Sequence, residues 1–231
     1  MREIVFDTET TGLSFQGGDR MVEIGCVELV NRVETGRTFH AYYHPERDMP
    51  AEAFAVHGLS SVFLGDKPLF AAAVEELLDF IGDAPLVAHN AGFDFSFLNG
   101  EIRRCGRPLV CTTRMVDTLQ LARSRHPGAK HSLDALCSRF GIDRSHRILH
   151  GALLDAQLLA QVYVELLGGR QIGLGLVADV AAVAPSVAAR DRSDVVGRPA
   201  RVFRATPAEL AAHAAFLDAI DVPQWGIAAP H

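Results

Sequence analysis

The chain has 231 residues, 48% of them hydrophobic and 22% charged, and a formal net charge of −6. This is ordinary globular composition, enough for one well-packed domain with an appendage or for two small domains. It argues against tight non-specific binding of a polyanion over a broad surface, and no apolar run approaches the roughly 18 residues of a membrane span.

Met1-Arg2-Glu3 leads straight into strand-like sequence rather than into the apolar core of a signal peptide, so a cytoplasmic protein with no membrane contact is expected. Cys26, Cys105, Cys111 and Cys137 lie far apart with no Cys-x-x-Cys pair. Buried free thiols are therefore expected rather than a zinc site or a disulfide framework.

In chain order, Ile4-Val5-Phe6 followed by a Thr/Gly-rich break predicts a short strand running into a turn. Asp7 and Glu9, two apart on it, project from one side, because side chains alternate faces along a strand. Two adjacent anions repel unless a divalent cation neutralises them, and hard oxygen ligands suit magnesium or manganese. Solvated acids at a strand end are the competing reading.

Ser14 to Arg20 reads as a Gly-rich loop, 21–30 as a second strand, 31–36 as a turn and 37–43 as a third strand. Short connections between the three predict an antiparallel meander. His40 and His44 read as structural or exposed. Pro50 to Leu64 reads as irregular, with Glu52 and His57 in it. Phe70, Val74, Leu77, Leu78 and Ile81 have helical spacing, with Pro68 in the first turn and Gly82 as the stop.

Residues 85–88 form a short apolar strand that opens into His89-Asn90-Ala91-Gly92-Phe93-Asp94, with a helix to follow. Loops at strand ends of α/β sheets are where ligands usually bind. Residues 109–111 read as another strand and 113–123 as a helix. Ser132 caps a further helix that Gly141 closes. The loop 144–149 then delivers His150, and Asp155 lies near the start of an amphipathic helix ending at Gly168-Gly169.

Beyond this the composition shifts. An Ala/Val-rich stretch, 177–189, and a charged one, 190–201, read as a linker. Thr206-Pro207-Ala208-Glu209 is a helix start, with a Thr cap, Pro at the first position and Glu three after the cap. The division expected is 1–168, 169–200 and 201–231.

Asp7 and Glu9, Asp94, and His150 with Asp155 thus close three separate segments. Four carboxylates and one imidazole are what a two-metal phosphodiester hydrolase needs, with metals roughly 4 Å apart and a base for the incoming water. Histidine, with an ordinary pKa of about 6.5, can be that base near neutral pH.

Asp7-Thr8-Glu9-Thr10-Thr11-Gly12, His89 to Asp94 and His150 to Asp155, in this order, resemble the three motifs of the DEDD exonuclease superfamily, histidine subtype. Val56-His57-Gly58-Leu59, 132–137, 201–203 and 209–213 extend the similarity to the epsilon proofreading subunits of bacterial DNA polymerase III, over nearly the whole chain. The resemblance implies an α/β, ribonuclease H-like fold, a mixed sheet flanked by helices with a C-terminal extension. It also implies 3′-to-5′ removal of nucleotides from single-stranded or mispaired DNA ends.

Carried over residue by residue, Asp7, Glu9, Asp94 and Asp155 would hold two Mg²⁺ or Mn²⁺ ions, and His150 would be the general base. Thr10, Leu13, Glu52 and His57 would face the terminal nucleotide together with Asp7, Glu9 and Asp155. The segment 171–176 is similar to a sliding-clamp-binding peptide anchored by Gln171, Leu174 and Leu176, with a plain linker as the competing reading. Residues 201–231 resemble the part of epsilon that docks on the polymerase alpha subunit. Two further alternatives are an RNA 3′-end trimmer of the same superfamily and a non-catalytic scaffold between polymerase and clamp.

Overall fold

The computed structural model describes residues 1–145, 149–169 and 205–220, residues 219 and 220 without their side chains. The linker, the 171–176 segment with Gln171, Leu174 and Leu176, and both ends of the 201–231 tail lie outside them. The chain divides into two compact units, Met1–Leu176 and Val177–His231. In the second, one helix is described, Pro207–Ile220. Its expected start is present: Thr206 N–H donates to Glu209 Oε2 at 2.7 Å and Glu209 N–H donates to Thr206 Oγ1 at 3.3 Å. Each satisfies a backbone donor that the first turn would leave open.

The first unit is a five-stranded sheet in the order β3-β2-β1-β4-β5. The strands are β1 (Arg2–Thr10), β2 (Met21–Val30), β3 (Val33–Tyr42), β4 (Leu86–Ala88) and β5 (Met115–Asp117). β1, β2 and β3 pair antiparallel as expected, while β4 runs parallel to β1 and β5 parallel to β4. The sheet is mixed, with the acid-bearing β1 at its centre. The helices of this unit are α1 (Ala51–His57), α2 (Ser61–Leu64), α3 (Phe70–Ile81), α4 (Ala91–Arg104), α5 (Thr118–Arg125), α6 (Leu133–Phe140) and α7 (Ala152–Leu166).

The alternation of β1 sorts its side chains between two layers. Ile4 and Phe6 join the core with Phe70, Leu77, Phe97 and Leu98 of α3 and α4. Val5 packs on the opposite face with Ala156, Leu159, Ala160 and Tyr163 of α7. On that face Glu3 accepts from Tyr163 Oη at 2.7 Å. Asp7 and Glu9 continue the same odd-numbered row toward the N-terminal end of α7. Full burial of each leucine-sized side chain contributes about 1.5–3 kcal/mol, so β1 is clamped from both faces.

Several expectations need correction. The turn between β2 and β3 is only Asn31-Arg32, both left-handed (φ 51° and 67°), so β3 begins at Val33 and not at 37. A two-residue turn of that kind matches the twist of the flanking strands. The 50–64 stretch is not irregular but holds α1 and α2, and α1 is closed by the left-handed Gly58. α1 buries His57 alone, so it lacks an apolar stripe that would betray a helix. Pro68 lies outside α3, which Leu69 starts and Gly82 stops.

The strand expected at 109–111 is also displaced. The Val110 N–H and C=O are taken by the Asn99 side chain at 2.9 and 3.0 Å, and a short 3₁₀ turn, Thr112–Arg114, precedes β5. Accordingly α5 starts at Thr118 rather than 113. All four cysteines are free, but only Cys26 and Cys137 are buried; Cys105 is half-buried and Cys111 exposed. His40 bonds Glu23 Oε1 through Nε2 at 2.7 Å. Among the described residues no helix is long and apolar enough to cross a membrane.

Candidate active site

The three motif segments converge at the end of β1. Asp94 lies in the first turn of α4, one turn deeper into helix than a loop position, because α4 already begins at Ala91. Its start is sharp: Asn90 is left-handed (φ 65°), a conformation that asparagine tolerates better than most residues. Asp117 Oδ1 fixes that turn by accepting the Asn90 N–H at 3.1 Å and the Leu119 N–H at 2.9 Å. Asp155 lies in the first turn of α7, where the helix dipole favours an anion, and His150 precedes the helix.

A cavity of about 270 Å³ is lined by Asp7, Glu9, Asp94, His150 and Asp155, so all five catalytic candidates meet. Ligand atoms of Glu9, His150 and Asp155 lie within 4.8 Å of one another. His150 Nδ1 is 3.2 Å from Asp155 Oδ2, and half of the His150 side chain remains open to solvent. Asp94 and Asp155 are nearly closed off. Thr8, on the even face of β1, donates to Asp94 Oδ1 at 2.8 Å and so ties the strand to α4.

Crowding shows in the proton affinities. Burial, and then the charges of Asp94, Glu9, Asp155 and Glu23, hold the Asp7 carboxyl well above the usual carboxylate range. Burial pushes Asp94 up to about 7 against the opposing Thr8 hydrogen bond. Glu23 stands directly opposite Glu9 in the β1–β2 ladder and is itself buried. Such a cluster is costly without a compensating cation.

A second cavity, about 470 Å³, adjoins the first, with Thr8, Glu9 and Phe93 as shared walls. Its lining includes Thr10, Leu13, Glu52 and His57, the remaining substrate-facing candidates. His57 Nδ1 accepts from Leu59 N–H at 3.0 Å, so in the neutral ring Nε2 carries the hydrogen. Nε2 is buried and makes no hydrogen bond among the described residues, although the Thr10 backbone lies nearby. Burial lowers the pKa of His57, which keeps it an uncharged donor at neutral pH. Both cavities meet at α1: His150 N–H donates to Val56 C=O at 3.3 Å, and Leu149 packs where a Cβ on Gly58 would stand.

His89 and Asp134 also line the first cavity, and the sequence offered them only as members of motifs. His89 Nδ1 pairs with the buried Thr118 Oγ1 at 2.9 Å, a contact between residues 29 apart that no local pattern announces.

Comparison with known proteins identifies the family. The sequence matches the exonuclease family, RNase_T, over residues 4–163. It is 50% identical over 223 residues to DNA polymerase III subunit epsilon of Rickettsia conorii (strain ATCC VR-613 / Malish 7), covering 95% of this chain and 96% of that one. The epsilon subunit of Escherichia coli (strain K12) is 44% identical over 226 residues, covering 95% and 93%. Among solved structures, the nuclease domain of 3′hExo, a DEDDh family member bound to rAMP, aligns with a TM-score of 0.63 at 16% identity over 72% of this chain and 92% of that one. The last likeness bears on the fold alone, which is ribonuclease H-like. The chain belongs to the exonuclease family, in the branch formed by the epsilon subunits of bacterial DNA polymerase III.

Proposed function

We propose that Asp7, Glu9, Asp94 and Asp155 hold two divalent cations, Mg²⁺ or Mn²⁺, and that His150 is the general base of a 3′-to-5′ exonuclease proofreading for a replicative DNA polymerase. The observation that carries this is the meeting of four carboxylates from β1, α4 and α7 beside a nucleoside-sized cavity. The donor set fits hard divalent cations: it is all carboxylate apart from one imidazole, and its members raise one another's proton affinity. Bound cations supply charge neutralisation for the phosphodiester and lower the pKa of attacking water.

The protein's own groups do the rest. His150, poised at the rim with Asp155 beside Nδ1, is placed to accept a proton at its other ring nitrogen. Glu52 offers an acceptor to a terminal hydroxyl, and His57 Nε2–H offers a donor within the same cavity. Phe93 and Leu13 give apolar walls on which a base can rest. Thr8 and Asp117 fix the start of α4 and, with it, the position of Asp94.

The net charge of −6 leaves affinity for DNA to come from elsewhere. A tail at 201–231 bound to the polymerase, with 171–176 on the sliding clamp, would raise the local concentration of primer ends without new contacts to DNA. The reading places the protein in the cytoplasm and divides it into a nuclease domain over 1–168, a linker over 169–200 and the tail.

The test is a Mg²⁺-dependent time course on a 3′-mismatched primer, with wild type and Asp7→Ala side by side. Asp7→Ala is expected to lose several orders of magnitude in rate. A wild-type rate equal to the variant's would mean a scaffold, and faster removal of matched RNA ends would mean an RNA trimmer.

A further inference from the structure

The loop between β1 and β2 carries two apolar side chains of opposite fate. Leu13 is 88% exposed at its tip, whereas Phe15, two residues on, turns inward. The base of the loop is fixed by hydrogen bonds: Ser14 N–H donates to Asp19 Oδ2 at 3.0 Å, Asp19 N–H to Ser14 C=O at 3.1 Å, and Thr11 N–H to Arg20 C=O at 2.9 Å. Arg47 ties the far side by donating to Gly18 C=O and Asp19 Oδ1, each at 2.7 Å. None of these reaches the side chain of Leu13 itself.

The inward ring supplies what is missing. Phe15 occupies the place where any residue but glycine at position 100 of α4 would put its Cβ. It meets the fully buried Phe97 edge-on, with centroids 5.8 Å apart at 87°. Phe97 in turn contacts Phe93 at 5.0 Å, and Phe93 is the wall shared by the metal cavity and the nucleoside cavity. Leu13 also lines a third cavity, of about 450 Å³, together with Phe15. One peg thus sets the height of the loop against the helix that bears Asp94.

We infer that Phe15, seated in the notch at Gly100, is a positioning residue that holds Leu13 at the rim of the nucleoside cavity. The inference rests on the reading of Leu13 as a substrate contact. It acts on how DNA is held and not on the chemistry, because Phe15 lines the third cavity and not the one lined by the acids.

The experiment measures KM and kcat on a 3′-mismatched primer, and in parallel the hydrolysis of bis(p-nitrophenyl) phosphate, a diester without a base. Phe15→Ala is expected to raise KM about tenfold with kcat within about twofold, and to leave the small diester unaffected. Phe15→Leu, still an apolar peg, recovers most of the loss. Gly100→Ala, which evicts the ring, mimics Phe15→Ala, and in the double variant the two effects do not add, because the new methyl occupies the vacated notch. Equal loss on both substrates, or full additivity of Phe15→Ala with Leu13→Ala, would overturn the inference while leaving the substrate role of Leu13 intact. A wild-type KM for Leu13→Ala would overturn both.

Discussion

Gly25 of β2 lies so close to Leu153 that a Cβ at position 25 would fall on the Leu153 backbone. Gly25 is also the cross-strand partner of Asp7. The absent side chain therefore lets the first turn of α7, with Asp155, come down beside the strand that carries Asp7 and Glu9. Gly25→Ala should push that turn outward. Thermal unfolding should register about 1–3 kcal/mol of lost stability, the range for overpacking, and the rate on single-stranded DNA should fall about 100-fold. Gly92→Ala, with nothing near the new methyl, serves as the neutral control.

Stability should depend on pH in the direction opposite to that of a salt-bridged acid. Asp94 titrates at about 7 when folded and near the ordinary 3.9 when unfolded, so between those values the folded state binds more protons. Stability is then present at low pH and is lost as pH rises toward and through 7. Chelator-treated protein should melt higher at pH 5 than at pH 8. Asp94→Asn should flatten the difference, by on the order of 2–4 kcal/mol, in urea titrations at the two pH values. Saturating Mn²⁺ should reverse the trend, since the cation favours the ionised acids.

His150 stands near enough to Glu9 and Asp155 to be a ligand as well as a base. If it is the base, His150→Ala keeps Mn²⁺ binding within a few-fold by calorimetry and loses at least about 100-fold in kcat. Abolished binding would instead assign it to the metal set.

Removing residues 170–231 should leave hydrolysis of free single strands nearly unchanged, because every described group of the site lies before Gly169. Co-purification with the polymerase subunit should disappear. Loss of both would make the tail part of the nuclease unit.

How far the sequence spoke depended on the range of the interaction. The strand alternation of 4–9, the caps at Ser132 and Thr206, and the apolar row of α7 are local, and each appears where its pattern placed it. β5 was displaced because Val110 finds its hydrogen-bond partner in the side chain of Asn99, eleven residues back. α1 escaped because it buries His57 and little else. The acidic positions were readable as chemistry, since like charges on one strand face demand an explanation. The notch at Gly100 and the partnership of His89 with Thr118 were not, because each exists only after distant segments have met.

β1 pairs with β2 along its length and with β4 at Ile4 and Val5, and helices cover both its faces. The amides of its buried middle should therefore exchange with solvent deuterium far more slowly than those of the 13–18 loop. Asp7 and Glu9 thus ride on the stiffest strand of the sheet, and local breathing of that strand is no route to adjusting the hydrolytic step.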